Sequence, residues 1–260
     1  MKQQVLLILL AISLVIACKK ENEEGVKMEQ KSNIKYAKGF DIQHFENYSK
    51  LIIKSPYPNA TEFQEFYFMR TNEISQEGPK SEMVSEIPSK KIFKDIISRI
   101  VVTSTTHIPM LELLGEETSL VGFPNLKYIS SEKTNQRIKE EKIIELGKEE
   151  SINTEVVLEL RPDAVIGFAL NSNNKMFTTI EKAGIPVLLN GDWLEETPLG
   201  RAEWIKFFGI LFDKEKEADS LFNTIEKDYL EAKAMAKQAT KKPTVLSGIQ
   251  FNQIWNVPAG

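Results

Sequence analysis

Residues 155–190, EVVLELRPDAVIGFALNSNNKMFTTIEKAGIPVLLN, decide the fold. Val156, Val157, Leu158 and Leu160 give the opening segment one apolar helical side. Pro162 stops that helix, because proline lacks a backbone N–H and restricts the residue before it. Ala164-Val165-Ile166-Gly167-Phe168 is short and apolar on both faces, the pattern of a parallel strand covered on both sides. The spacing predicts a crossover helix over residues 175–183, with Phe177, Ile180 and Ala183 inward and Gly184 as its C-cap. Ile185-Pro186-Val187-Leu188-Leu189 is the second strand. Strand, helix and strand at this spacing form a right-handed βαβ unit.

The wording of the stretch adds to its periodicity. Asn153, Glu155, Leu160, Arg161, Pro162, Asp163, Val165 and Ile166 spell N-x-E-x(4)-L-[KR]-P-D-x-V-I, and Ala183-Gly184-Ile185-Pro186-Val187 follows. This pattern resembles the periplasmic binding proteins that deliver vitamin B12 and ferric siderophores to ABC importers. The resemblance runs, more loosely, over residues 99–260. It implies an α/β protein: a Rossmann-like lobe with a parallel sheet, a long linker helix, and the start of a second, truncated α/β lobe. It also implies a monomer without cofactor or covalent chemistry, which captures a metal chelate between two lobes and docks on an ABC permease.

The chain of 260 residues has 42% hydrophobic and 27% charged residues, ordinary values for a soluble globular protein. A net charge of −4 gives no sign of a nucleic-acid partner, which would favour a basic patch. A single cysteine excludes an internal disulfide. That cysteine ends a targeting segment, residues 1–18. Lys2 is a minimal positive region, and residues 5–17 are an apolar run shorter than the roughly 20 residues that span a bilayer. Val15-Ile16-Ala17-Cys18 matches a bacterial lipobox, with Cys18 as the acylated thiol. Several acyl chains on one cysteine anchor stably where one chain is marginal. The expected location is periplasmic, lipid-anchored to the bacterial membrane. Residues 19–33, polar and charged, read as a disordered tether. Their acidic start also resembles the surface-export signals of some lipoproteins, which leaves the cell surface open as an alternative.

Residues 34–98 carry weak strand signals around Ser55-Pro56-Tyr57-Pro58-Asn59, a turn cluster. They read as a β-hairpin or small meander covering an edge of the main sheet. His44 in its lead-in reads as a surface histidine.

Residues 99–200 form the expected first lobe. Arg99-Ile100-Val101-Val102-Thr103 is its opening strand, leading through Ser104-Thr105-Thr106-His107 into a helix over 108–114 stopped by Gly115. Ligands of open α/β sheets bind beyond the carboxyl ends of the strands. Thr105, Thr106 and His107 are therefore candidate ligand contacts, and simple N-capping by Ser104 or Thr105 explains the same residues. A strand over 119–122 leads to Phe123 and Tyr128, candidates on the cleft side or the rim. Phe168 and the group Asn190, Trp193 end the two strands of the βαβ unit in one plane. There Phe168 and Trp193 could stack on a flat ligand or cap the lobe. In the resembled family a glutamate in this motif bonds to permease arginines, which makes Glu155 the docking candidate. A glutamate on the first turn of a helix is also favoured by the helix dipole alone.

Residues 201–241 read as the connecting segment, with a helix over 201–211 and a long helix N-capped by Asp213. In the resembled family such a helix links the lobes. Residues 242–260 read as the start of the second lobe, opening with a strand over 244–248. Trp255 lies there on the second cleft wall by resemblance, and the short remnant is expected to be poorly packed, leaving Phe251, Ile254 and Trp255 exposed. The sequence has no G-x-G-x-x-G, Walker or G-x-S-x-G motif. Two histidines and one lipidated cysteine cannot build the usual zinc site. The pairs Glu149-Glu150 and Glu195-Glu196 read as surface charges. Two other readings stay open: a surface lipoprotein hydrolase using Ser104 and His107, and a scavenging lipoprotein that works without an ABC importer.

Overall fold

The computed structural model describes residues 28–30, 32–69, 88–148, 151–251 and 253–256. Cys18, the rest of the targeting segment and Glu149-Glu150 lie outside the described residues. No helix among the described residues is long and apolar enough to cross a membrane.

Strands β1 (Met28–Gln30), β2 (Phe40–Phe45), β3 (Tyr48–Ile53), β4 (Gln64–Met69) and β5 (Ile92–Phe93) form one sheet in that order. All pairs are antiparallel except β4 with β5. The expected hairpin or small meander is present as β2-β3-β4, and β1 and β5 extend it to a five-stranded sheet. Of the expected tether over 19–33, only residues 28–30, 32 and 33 are described, and part of that stretch is joined to the fold. Residues 28–30 pair with β2, and Asn33 donates to the Asp219 carboxylate at 2.8 Å. His44 is not a free surface histidine. It sits in β2, with its Nδ1 2.9 Å from the Ser49 hydroxyl and its Nε2 3.5 Å from Glu215.

The lobe follows. Strand β6 (Ile100–Val102) leads to α1 (His107–Leu113), β7 (Leu120–Phe123), α2 (Glu132–Lys139) and β8 (Ile144–Glu145). A small antiparallel pair, β9 (Gly147–Lys148) and β10 (Ser151–Ile152), precedes α3 (Thr154–Leu160). Then come β11 (Ala164–Gly167), α4 (Lys175–Lys182) and β12 (Val187–Leu189). The second sheet has the order β12-β11-β6-β7-β8 and is parallel throughout. Its buried side chains alternate between two apolar clusters. Val101, Val165, Val187 and Leu189 join α3 and α4 through Val157, Phe177 and Ile180. Ile100, Val102, Ala164, Ile166 and Leu188 face the other way. This is the cover on both faces that a parallel sheet requires.

Local chemistry sets the boundaries of the decisive stretch. The Asn153 side chain caps α3 by accepting from the N–H groups of Glu155 and Val156. Helix α3 ends at Leu160, and Arg161 takes the left-handed region before Pro162. Gly184, at φ +91°, turns the chain out of α4, with Ile185 N–H returning to Ile180 O at 3.3 Å.

The helix expected over 201–211 is two helices, α5 (Pro198–Glu203) and α6 (Ile205–Leu211), with Trp204 between them. Every residue of α6 is buried. Its rings of Phe207 and Phe208 fill the space between the two sheets with Trp204, Phe40, Phe66 and Phe93. Asp213 does not cap the long helix. It adopts φ +54°, and α7 (Glu215–Gln238) starts after Lys214 without a side-chain cap. Helix α7 is about 36 Å long at 1.5 Å per residue. Only its start is covered, by Ala218 and Phe222, and residues 231–240 are exposed. The strand expected over 244–248 is absent. An antiparallel pair, β13 (Ile249–Phe251) and β14 (Ile254–Asn256), forms instead, leaving Ile254 and Trp255 exposed. The Phe251 side chain lies outside the described residues.

Candidate functional site

Because the sheet is parallel, the chain leaves β6, β7, β11 and β12 at one edge. Thr103 fixes the geometry there. Its N–H donates to Ile166 O at 3.1 Å, and its Oγ1 accepts from Phe168 N–H at 3.1 Å. Asn190 N–H donates to Gly167 O at 2.8 Å, so β11 and β12 remain paired to their ends. Asn190 Oδ1 accepts from Asp192 N–H at 2.9 Å. The Asp192 carboxyl takes a hydrogen bond from Thr106, whose hydroxyl lies 2.9 Å from that of Ser104. Burial pushes the Asp192 carboxyl above its ordinary range, against the pull of Thr106 and Arg201. Phe168 and Trp193 meet edge to face with centroids 5.9 Å apart. Two buried donors near them, Asn190 Nδ2 and Trp193 Nε1, have no hydrogen-bond partner.

The edge thus gathers Thr105, Thr106, Phe168, Asn190 and Trp193. Four ligand candidates are not among them. His107 is fully buried, its ring 5.6 Å from that of Phe208, and neither ring nitrogen has a partner. Burial lowers its pKa to about 3, so the ring is neutral. The Ser104 hydroxyl meets Thr106 and not His107, so the Ser104/His107 pair of the hydrolase reading is not assembled. Phe123 is 2% exposed and belongs to the core. Trp255 is half-exposed on β14 and makes no ring contact with Phe168 or Trp193. Tyr128 is exposed beside β7, with Lys127 Nζ 5.0 Å above its ring. Glu155 is exposed on the first turn of α3. Among the described residues, no group of three His, Cys, Asp or Glu side chains could hold a metal ion.

The loop after β12 is held by residues whose pattern gave no warning. Glu195 is buried, not a surface charge. It accepts from the N–H groups of Lys38 and Gly39 at 2.9 and 2.8 Å and from Trp204 Nε1 at 3.1 Å. Glu203, fully buried, accepts from the N–H groups of Lys35, Tyr36 and Ala37 at 2.8, 2.6 and 2.9 Å. Lys206 Nζ lies 3.1 Å from Glu203 and also donates to Asn33 O. Five successive backbone donors are therefore fastened by two carboxylates, tying the N-terminal strap to α5 and to the loop beside the candidate edge.

Comparison with known proteins agrees with this architecture. A periplasmic binding protein from Veillonella parvula superposes with a TM-score of 0.52 at 20% identity, covering 64% of this chain and 54% of that one. An uncharacterized lipoprotein of Methanocaldococcus jannaschii is 25% identical over 236 residues, 85% of this chain and 55% of its own length. A second uncharacterized lipoprotein of the same organism is 26% identical over 166 residues, 63% of this chain and 41% of its own. The chain spans about half the length, or less, of the curated relatives it matches. The profile described as "Periplasmic binding protein" matches residues 100–260, which takes in the parallel sheet, the candidate edge and α7. On that match the chain belongs to the periplasmic binding protein family.

Proposed function

We propose that this protein is the lipid-anchored substrate-binding component of an ABC importer and that its ligand is a metal chelate: a ferric siderophore, cobalamin or haem. The observation that carries the reading is the edge of the parallel sheet. The Thr106 hydroxyl, the Asn190 amide and the rings of Phe168 and Trp193 lie at that edge, and Ser104 and His107 are not paired beside them. Such an edge suits binding of a ligand through polar groups and apolar faces. The metal-chelate class comes from the motif carried by Asn153, Glu155, Pro162 and Asp163. Glu155 is the permease contact, and Cys18 is the acylated anchor, in keeping with the lipoprotein relatives. Native mass spectrometry of the full-length mature protein with cobalamins, haem and ferric siderophores tests the reading. One stoichiometric complex supports it. No complex with any chelate, or turnover of generic ester substrates, contradicts it.

A further inference from the structure

The N-terminal sheet lies outside the segment that matches the family profile, yet it reaches the candidate edge at three points. The side-chain amide of Gln64 completes the free edge of β12, accepting from Leu189 N–H at 2.9 Å and donating to Val187 O at 3.4 Å. The carbonyl oxygen of Ser55 lies against Gly191, so close that a Cβ there would collide with it. Lys54 and Ser55 both donate their N–H groups to Gly39 O, at 2.7 and 3.1 Å. Gly39 is in turn held by Glu195 at the far end of the loop that carries Trp193. The turn Ser55-Pro56-Tyr57-Pro58-Asn59 is thus fixed to both ends of residues 191–195.

The turn is stiff by composition. Pro56 and Pro58 lock their own φ angles and restrict Ser55 and Tyr57 before them. Pro56 is buried and Tyr57 half-buried. Tyr57 packs on the apolar cluster that contains Ala169, next to Phe168, and Leu189, next to Asn190. A ring held this way loses little freedom when a ligand arrives, which lowers the entropic cost of binding.

We infer that the Ser55–Asn59 turn is a specificity-determining wall of the ligand site, with Tyr57 selecting chelates that present a flat aromatic or macrocyclic group. The inference rests on the proposed metal-chelate reading. It makes the N-terminal sheet part of the binding site and not only a cover for the edge of β12.

The test compares dissociation constants of the full-length mature protein for haemin, a ferric catecholate and ferrichrome, whose iron is held by aliphatic hydroxamates. The expected result for the unaltered protein is at least tenfold tighter binding of haemin or the ferric catecholate than of ferrichrome. Tyr57→Leu, which keeps apolar packing without the ring, should lower that ratio at least fivefold. The pair Pro56→Ala/Pro58→Ala keeps the phenol and should weaken the same aromatic probe about threefold or more. A ratio unchanged in Tyr57→Leu, or tightest binding of ferrichrome, overturns the role of Tyr57 while the metal-chelate reading stands. Unchanged affinity in the proline variant overturns the rigid-wall argument. Binding of none of the probes by the unaltered protein refutes the metal-chelate reading, and this inference with it.

Discussion

Replacing Glu203 by alanine should unfasten the N-terminal strap. The carboxylate is fully buried and is the acceptor for three backbone N–H groups, of Lys35, Tyr36 and Ala37. It also faces Lys206 Nζ at 3.1 Å. Each buried donor left open costs about 1–3 kcal/mol, and breaking a buried ion pair by removing one partner costs about 3–5 kcal/mol. These costs overlap, because the strap can peel away to solvent and Lys206 keeps Asp219 at 3.3 Å and Asn33 O at 2.9 Å. A net loss of about 3–5 kcal/mol follows, a large share of the roughly 5–15 kcal/mol of a typical domain. Glu203→Gln, which keeps the shape and one acceptor, should lose about half as much. Urea unfolding followed by tryptophan fluorescence measures the loss, and Trp204 in the same core makes the signal local. Limited trypsinolysis reports the strap itself, since Lys35 and Lys38 should become cleavable in Glu203→Ala before the lobe unfolds. A loss below about 1 kcal/mol, with both lysines still protected, would refute the reasoning.

Other expected outcomes are equally direct. Gly191→Ala should destabilise the protein by about 1–3 kcal/mol, because its Cβ meets the Ser55 carbonyl and not a flexible side chain; an unchanged melting curve would show that the turn moves freely. The depressed pKa of His107, about 3 folded against 6.5 unfolded, means the unfolded chain binds the extra proton between these values. Stability from this residue is therefore constant above about pH 6.5 and falls with pH below it, by up to about 1.4 kcal/mol per unit; His107→Leu should flatten that limb of a pH-dependent unfolding series. Cys18→Ser should abolish labelling by a palmitate analogue, and label retained on serine would remove the anchor from the account. Glu155→Arg should stop uptake of the chelate by whole cells while the purified protein keeps its affinity, and normal uptake would discard docking through Glu155.

The decisive βαβ unit was legible because its signals are local. Asn153, Pro162 and Gly184 act on neighbours within a few residues, and Ala164 to Gly167 is apolar on both faces in any setting. The candidate edge was legible in outline for the same reason, since parallel strands must end together. What escaped was decided by partners far along the chain. Glu195 sits beside Glu196 and looks like a surface pair, yet it serves donors about 157 positions away. His107 follows Ser104-Thr105-Thr106 and reads as part of a polar loop, until Phe208 from α6 covers its ring. Phe123 reads as a loop aromatic but closes β7 inside the core. Asp213 has the composition of a cap but takes the left-handed region that turns the chain from α6 into α7. The hairpin or meander reading of residues 34–98 reaches β2, β3 and β4 but not the full five strands, because β1 and β5 are too short to carry a pattern of their own.

The most direct test of the central claim is hydrogen–deuterium exchange on the full-length mature protein, free and saturated with the chelate it binds most tightly. Amide exchange reports local opening, so a bound ligand slows it where the ligand sits. The account predicts protection concentrated at residues 103–107, 168–171 and 190–194 and in the 55–59 turn beside them, with little change in β2 and β3. Protection elsewhere in this chain, with those three segments exchanging as in the free protein, would contradict it.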